Sequence, residues 1–346
     1  MATPRLHPVR SRTALGISAC LLTGLLAGCG AGVRTLTGGG SSPAVALLAV
    51  SAAPKLGYAW NQADKTLRPI IGIPGAAQFG ESVTPAAAYE SGAAEPAGTY
   101  ALMLGDSQSL YRISLPDGAA TPLSGKATTG SRIVFAPSGA YAFIFALGSM
   151  GGTVVSGTAS APQLRAVTFT SAATDAAVSD SGTVAVALRS ATGSPIQVTP
   201  ASGNPVILPA LKACGGLGFI AGSDDLLMAD AGLNELWRVH AASTAPTTAP
   251  VATAGLLKTP LSVAASRSGH WAVIANSADS SAVRVDLTGA LPPQRTACNC
   301  QPSTVAQLAG DGAFRLTALQ TGPVWISDAS RSSFPVLFIP ALKAGL

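Results

Sequence analysis

Reactive side chains are scarce in this chain. There are five cysteines and three histidines in 346 residues, and charged residues make up 11%. Cys20 and Cys29 lie in an apolar N-terminal run, which leaves Cys214, Cys298 and Cys300. In an oxidising compartment such thiols pair, and three of them leave one over. A bridge from Cys214 to Cys298 or Cys300 is the leading candidate disulfide. Reduced thiols and a Cys-x-Cys metal or redox site stand as alternatives. The last has no histidine nearby and falls short of the four ligands that zinc takes. His240 and His270 are isolated and read as exposed loop residues, so no serine has an evident base. Asp106, Asp230, Asp279 and Asp328 recur in turn-like contexts, where Asp caps local backbone N–H groups. Calcium would need six to eight oxygens converging on one point, which separated turns do not supply. The reading is therefore no catalytic residue, no metal site and no cofactor. Arg132, Asp175 and Gln307 are polar exceptions in otherwise small or apolar segments, and they are the candidate binding residues.

The N-terminus decides the compartment. Arg5, Arg10 and Arg12 precede the apolar run Ala14 to Gly28, the layout of a secretory signal. The run is too short to span a bilayer, which takes about 20 apolar residues. It ends in Leu26-Ala27-Gly28-Cys29, which resembles the lipobox of bacterial lipoproteins. The resemblance implies cleavage before Cys29, diacylglycerol on its thiol and an acyl chain such as palmitate on the new amine. Residues 1–28 are then the signal peptide. Residues 29–43 are the lipidated cysteine and a tether, ending in the Gly/Ser-rich Thr35 to Pro43 with a reach of roughly 20 Å. Gly30 rather than Asp after the cysteine resembles the outer-membrane sorting choice. The expected location is the cell envelope, in the outer rather than the inner membrane of a diderm.

The net charge of +5 is misleading, because three arginines leave with a signal that contains no acid. The mature chain has no Lys/Arg cluster to track phosphates, so a nucleic-acid partner is not expected. Hydrophobic residues reach 48% with only 5% aromatic. That composition suits short strands and tight turns, not solvent-facing helices with charged faces.

What would hold the polar exceptions is a repeat. The stretches 216–241 and 261–287 each read strand, polar turn, strand, polar turn, strand. Taking a first-turn residue as marker gives Gly57, Gly98, Gly139, Gly182, Asp224, Gly269 and Gly312, spaced by 41, 41, 43, 42, 45 and 43. Apolar residues alternate after the turn, as in Tyr141, Phe143, Phe145 and in Val184, Val186, Leu188, the signal of half-buried strands. Four short strands per 40–45 residues is the period of a β-propeller blade. The fold class is all-β, a seven-bladed β-propeller of four-stranded blades over residues 44–346. Ser266-Arg267-Ser268-Gly269-His270-Trp271-Ala272-Val273-Ile274-Ala275-Asn276, followed by Val283-Arg284-Val285-Asp286, is similar to the repeat of the YVTN family of seven-bladed propellers.

In this frame Arg132 and Asp175 hold equivalent positions, seven residues before Gly139 and Gly182. Ser262 and Val305 hold the same position in units six and seven. Adjacent blades would bring Arg132 and Asp175 together at the channel mouth, as a structural ion pair or as the polar end of a ligand site. The four tryptophans, Trp60, Trp237, Trp271 and Trp325, read as blade packing. The functional expectation is a membrane-anchored, non-catalytic propeller lipoprotein, presenting a binding face to a protein or glycan partner in the envelope. The alternative is a propeller enzyme with a channel-mouth site. Seven-bladed propellers that resemble this chain include lactonases and quinone-linked dehydrogenase subunits, and such a site would gather several inward carboxylates.

Overall fold

The computed structural model describes residues 53–85, 88–128, 130–157, 162–320 and 322–342. The expected signal, lipidation site and tether lie outside them. Among the described residues twenty-seven strands form seven antiparallel sheets of consecutive strands. Blade 1 is β1 (Lys55–Asn61), β2 (Thr66–Ile73) and β3 (Ala76–Phe79). Blade 2 is β4 (Ser91–Ala94), β5 (Tyr100–Leu104), β6 (Ser109–Ser114) and β7 (Ala120–Lys126). Blade 3 is β8 (Ser131–Phe135), β9 (Tyr141–Ala146), β10 (Gly151–Ser156) and β11 (Gln163–Thr168). Blade 4 is β12 (Ala173–Val178), β13 (Val184–Leu188), β14 (Ser194–Thr199) and β15 (Val206–Leu211). Blade 5 is β16 (Cys214–Phe219), β17 (Leu226–Asp230), β18 (Glu235–His240) and β19 (Thr247–Val251). Blade 6 is β20 (Pro260–Ala265), β21 (Trp271–Asn276), β22 (Ser281–Asp286) and β23 (Gln294–Ala297). Blade 7 is β24 (Ala306–Gln307), β25 (Ala313–Arg315), β26 (Val324–Asp328) and β27 (Val336–Ile339).

The core is divided among the blade interfaces. Each of seven hydrophobic clusters joins one pair of neighbouring blades, including blade 7 to blade 1. A closed ring follows from this pattern, and the chain is a seven-bladed β-propeller. The alternation expected of half-buried strands takes a different form here. Tyr100, Leu102 and Leu104 of β5 pack toward blade 3, while Ala101 and Met103 between them pack toward blade 1. Second strands are thus buried on both faces, because every sheet is sandwiched between two others.

Blade 1 departs from the regular unit. Gly57 lies inside β1, at a bulge and with φ +135°, not in a first turn. The turn joining β1 to β2 ends on Lys65 with positive φ, as Asn234 and Ser280 do in the second turns of blades 5 and 6. β1 therefore matches β17 and β21, the second strands of their blades. Among the described residues, blade 1 has three strands, and β1 is its innermost. The ring closes by packing and a few backbone contacts. Ala309 N–H donates to Leu56 O, Gln62 N–H donates to Leu319 O, and Asn61 forms a lone parallel bridge with Leu319.

A channel-mouth candidate site

The inner strands surround a central cavity of about 770 Å³. Small residues make up much of its wall, among them Ser91 to Ala94, Ala176 to Val178, Gly218 and Ser262 to Ala265. The small residues have a packing cause. A Cβ on Gly216 would come within 2.8 Å of Ser262 Cα, so blades 5 and 6 approach too closely for a side chain there. Gly216 also has φ +144°, a conformation that L side chains avoid.

Arg132, Asp175 and Gln307 all line this cavity. The Arg132–Asp175 pair expected from the repeat register is not in direct contact. Arg132 is exposed to the channel and forms no salt bridge within the described residues, although its charge still lowers the pKa of Asp175. Asp175 is engaged elsewhere. Its Oδ2 accepts the backbone N–H of Leu217 in blade 5 at 3.0 Å. The equivalent residue Ser262 accepts the N–H of Val305 in blade 7 at 2.9 Å. The position seven residues before the turn is thus a staple between inner strands, filled by a carboxylate in one place and a hydroxyl in the other. Burial raises the Asp175 carboxyl to about 6, against the lowering effects of the Ala176 and Leu217 N–H groups and of Arg132.

Gln307 Nε2 donates weakly to Gly310 O at 3.4 Å, and its Oε1 is buried without a donor. Arg315 is a channel residue that the sequence reading missed. Its Nε is buried without a partner, and burial lowers its pKa. It escaped notice because it sits on a second strand rather than an inner one. The available signal was an arginine within Ala313-Phe314-Arg315-Leu316, a stretch whose other members pack between blades. Trp60 also lines the channel, its ring lying against Gly92. Trp237, Trp271 and Trp325 pack between blades.

The cysteines require a correction. Cys298 and Cys300 bridge each other, and Cys214 is a free thiol. Blade 6 separates Cys214 from the pair, whereas Cys298 and Cys300 have Cα atoms 5.0 Å apart, within the range a disulfide spans. Burial, with Asp175 and Asp230 nearby, pushes the Cys214 thiol up to about 12. The remaining groups serve local structure. Asp230 accepts the backbone N–H groups of Lys212, Ala213, Gly232 and Leu233. Asp328 accepts from Ser330, and Asp279 from Ser281 and Arg295. His240 contacts Asp225, and His270 contacts Asp286 and stacks on Trp271. Among the described residues no three His, Cys, Asp or Glu side chains gather as metal ligands.

Many solved structures share this architecture. A functionally unknown protein from Desulfotomaculum acetoxidans is 11% identical with a TM-score of 0.52, covering 69% of this chain and 78% of its own. Virginiamycin B lyase from Staphylococcus aureus is 12% identical with a TM-score of 0.51, covering 73% and 84%. The Cps50 (Swd1) β-propeller domain of Myceliophteria thermophila is 13% identical with a TM-score of 0.54, covering 73% and 88%. At these identities the likeness is one of fold. No family model and no curated protein matches the sequence.

Proposed function

We propose that the chain is a lipid-anchored β-propeller of the bacterial cell envelope, built from YVTN-like repeats, that binds a protein or glycan partner rather than transforming a substrate. Leu26-Ala27-Gly28-Cys29 supports the anchor, with export to the envelope and the outer membrane as the favoured site. The observation that carries the binding half is the polar content of the channel mouth. Among the described residues Arg315 Nε and Gln307 Oε1 have no protein partner and Arg132 forms no salt bridge, so all three offer groups that could hold a ligand. Among the described lining residues there is no histidine to serve a nucleophile. Among the described residues two carboxylates border the cavity, Asp175, already engaged in a strand staple, and Glu90 at the start of blade 2. A lactonase-like or quinone-linked dehydrogenase-like site would draw on several.

The test is in vivo crosslinking of the full chain and of Cys29→Ser, followed by affinity purification and mass spectrometry. A defined envelope partner, lost or reduced with Cys29→Ser, is the expected result. A folded, membrane-bound wild type that captures the same background as an unrelated lipoprotein would contradict the reading.

A further inference from the structure

Arg315 has no structural explanation within the ring. It stands opposite Ala306 in the β24–β25 pair. It shares a strand face with Ala313, which packs toward blade 1. Its guanidinium borders the channel, and its Nε is shut from solvent with no hydrogen-bond partner. Burial alone accounts for its lowered pKa, with no acid set against it. Arg315 is half-buried as a whole, but a guanidinium nitrogen withdrawn from water without a partner or counter-charge is costly to the fold, and an anion would lower that cost.

Three neighbouring features define what kind of anion. Arg132 comes from blade 3, on the far side of the ring, and is exposed to the channel. Arg132 and Arg315 line the one channel from opposite sides of the ring. Gln307 Oε1 is a buried acceptor with no donor, so it asks for a hydroxyl on the ligand. Trp60, half-buried and packed between blades 1 and 2, borders the same channel. The acids bordering the cavity are Asp175 of blade 4 and Glu90 at the start of blade 2. Neither forms a salt bridge with Arg315.

We propose that the channel mouth is an oxyanion site for the carboxylate of a small polyhydroxylated organic acid, of the sugar-acid type. Arg315 is the anchor, Arg132 the second guanidinium, and Gln307 Oε1 the acceptor of a ligand hydroxyl. A guanidinium matches the two oxygens of a carboxylate as a fork. The cavity volume falls in the range of small-molecule sites. The inference rests on the ring being a binding device, but it is tested separately from partner capture.

The experiment is titration calorimetry of the purified full chain with glucuronate, galacturonate, gluconate and tartrate, with methyl glucoside and inorganic phosphate as comparators. At least one acid is expected to bind saturably, and methyl glucoside is not. Arg315→Gln should weaken binding by about tenfold or more, the scale of one charge-assisted hydrogen bond. Arg132→Gln, a change at an exposed side chain, should weaken it several-fold. The proposal is overturned if no acid binds, if methyl glucoside binds equally, if phosphate alone binds, or if affinity is unmoved by the variants. Should Arg315→Gln fail to fold, Arg132→Gln and Gln307→Leu decide the matter by the same criterion. Loss of acid binding would leave capture of a macromolecular partner intact. An acid that binds but is consumed would overturn the binding-device reading while the anion site stood.

Discussion

Replacing Asp175 by Asn should stabilise the protein at neutral and alkaline pH. In the folded chain the carboxyl sits in the channel wall, and its pKa rises from the ordinary 3.8 to about 6. It therefore holds its proton more tightly folded than unfolded. Stability is lost as pH rises from about 4 to about 6, and the full penalty persists above that window. The rise corresponds to about 3 kcal/mol at 1.36 kcal/mol per tenfold change. Solvent in the channel screens part of this, so the expected gain is about 1–3 kcal/mol. Asn keeps an oxygen to accept the Leu217 N–H, so the staple between blades 4 and 5 survives. The assay is thermal denaturation of wild type and Asp175→Asn at pH 4 and pH 8. A gain of a few degrees is expected at pH 8, at about 2–4 °C per kcal/mol for a domain of this order, with little or none at pH 4. A variant less stable than wild type at pH 8, or equally improved at both pH values, would refute the reasoning. The carboxylate would then contribute more as a charged staple than its burial costs.

Other consequences follow from the interfaces and the cysteines. Arg284 is 4% exposed and donates to Ala329 O, Arg331 O and Gln294 Oε1, with its guanidinium 4.7 Å from the Trp271 ring. Arg284→Ala should cost about 3 kcal/mol by leaving blade 7 carbonyls unpaired, and urea denaturation would measure it. Gly216→Ala should cost about 2 kcal/mol or more, since the new Cβ meets the Ser262 backbone and φ is unfavourable; the same denaturation series would show it. Cys214 should react with iodoacetamide at pH 8 only slowly until the protein is unfolded, because its thiol is pushed up to about 12. Cys298→Ser should cost under about 2 kcal/mol, because a bridge across a separation of two residues constrains the unfolded chain little.

Which features were legible in the sequence follows from what each depends on. The spacing of first-turn residues, five glycines and Asp224, depends on local backbone chemistry, so it marked six of the blades. It failed at Gly57, where a glycine serves a bulge instead of a turn. The equivalence of Arg132 and Asp175 was readable from register, but their separation was not. Asp175 found the Leu217 N–H of the next blade instead of a cation, and such a partner is set by how closely two inner strands approach. The cysteine pairing depended on distances around the ring, and spacing alone favoured the wrong partner for Cys214. Arg315 required knowing that a second strand of blade 7 reaches the channel beside blade 1, where the regular unit breaks down.

In the proposed function this ring binds through its channel mouth while held at a membrane. The most direct test places a photo-crosslinking amino acid at Gln62 or Thr128, which border the channel. The comparison site is Ile207, exposed on the outer strand β15 of blade 4. With irradiation in cells that export the full chain, one defined envelope component is expected to join the mouth positions and to be absent at Ile207. Equal capture at all three positions, or none at the mouth with the protein folded and anchored, would contradict it.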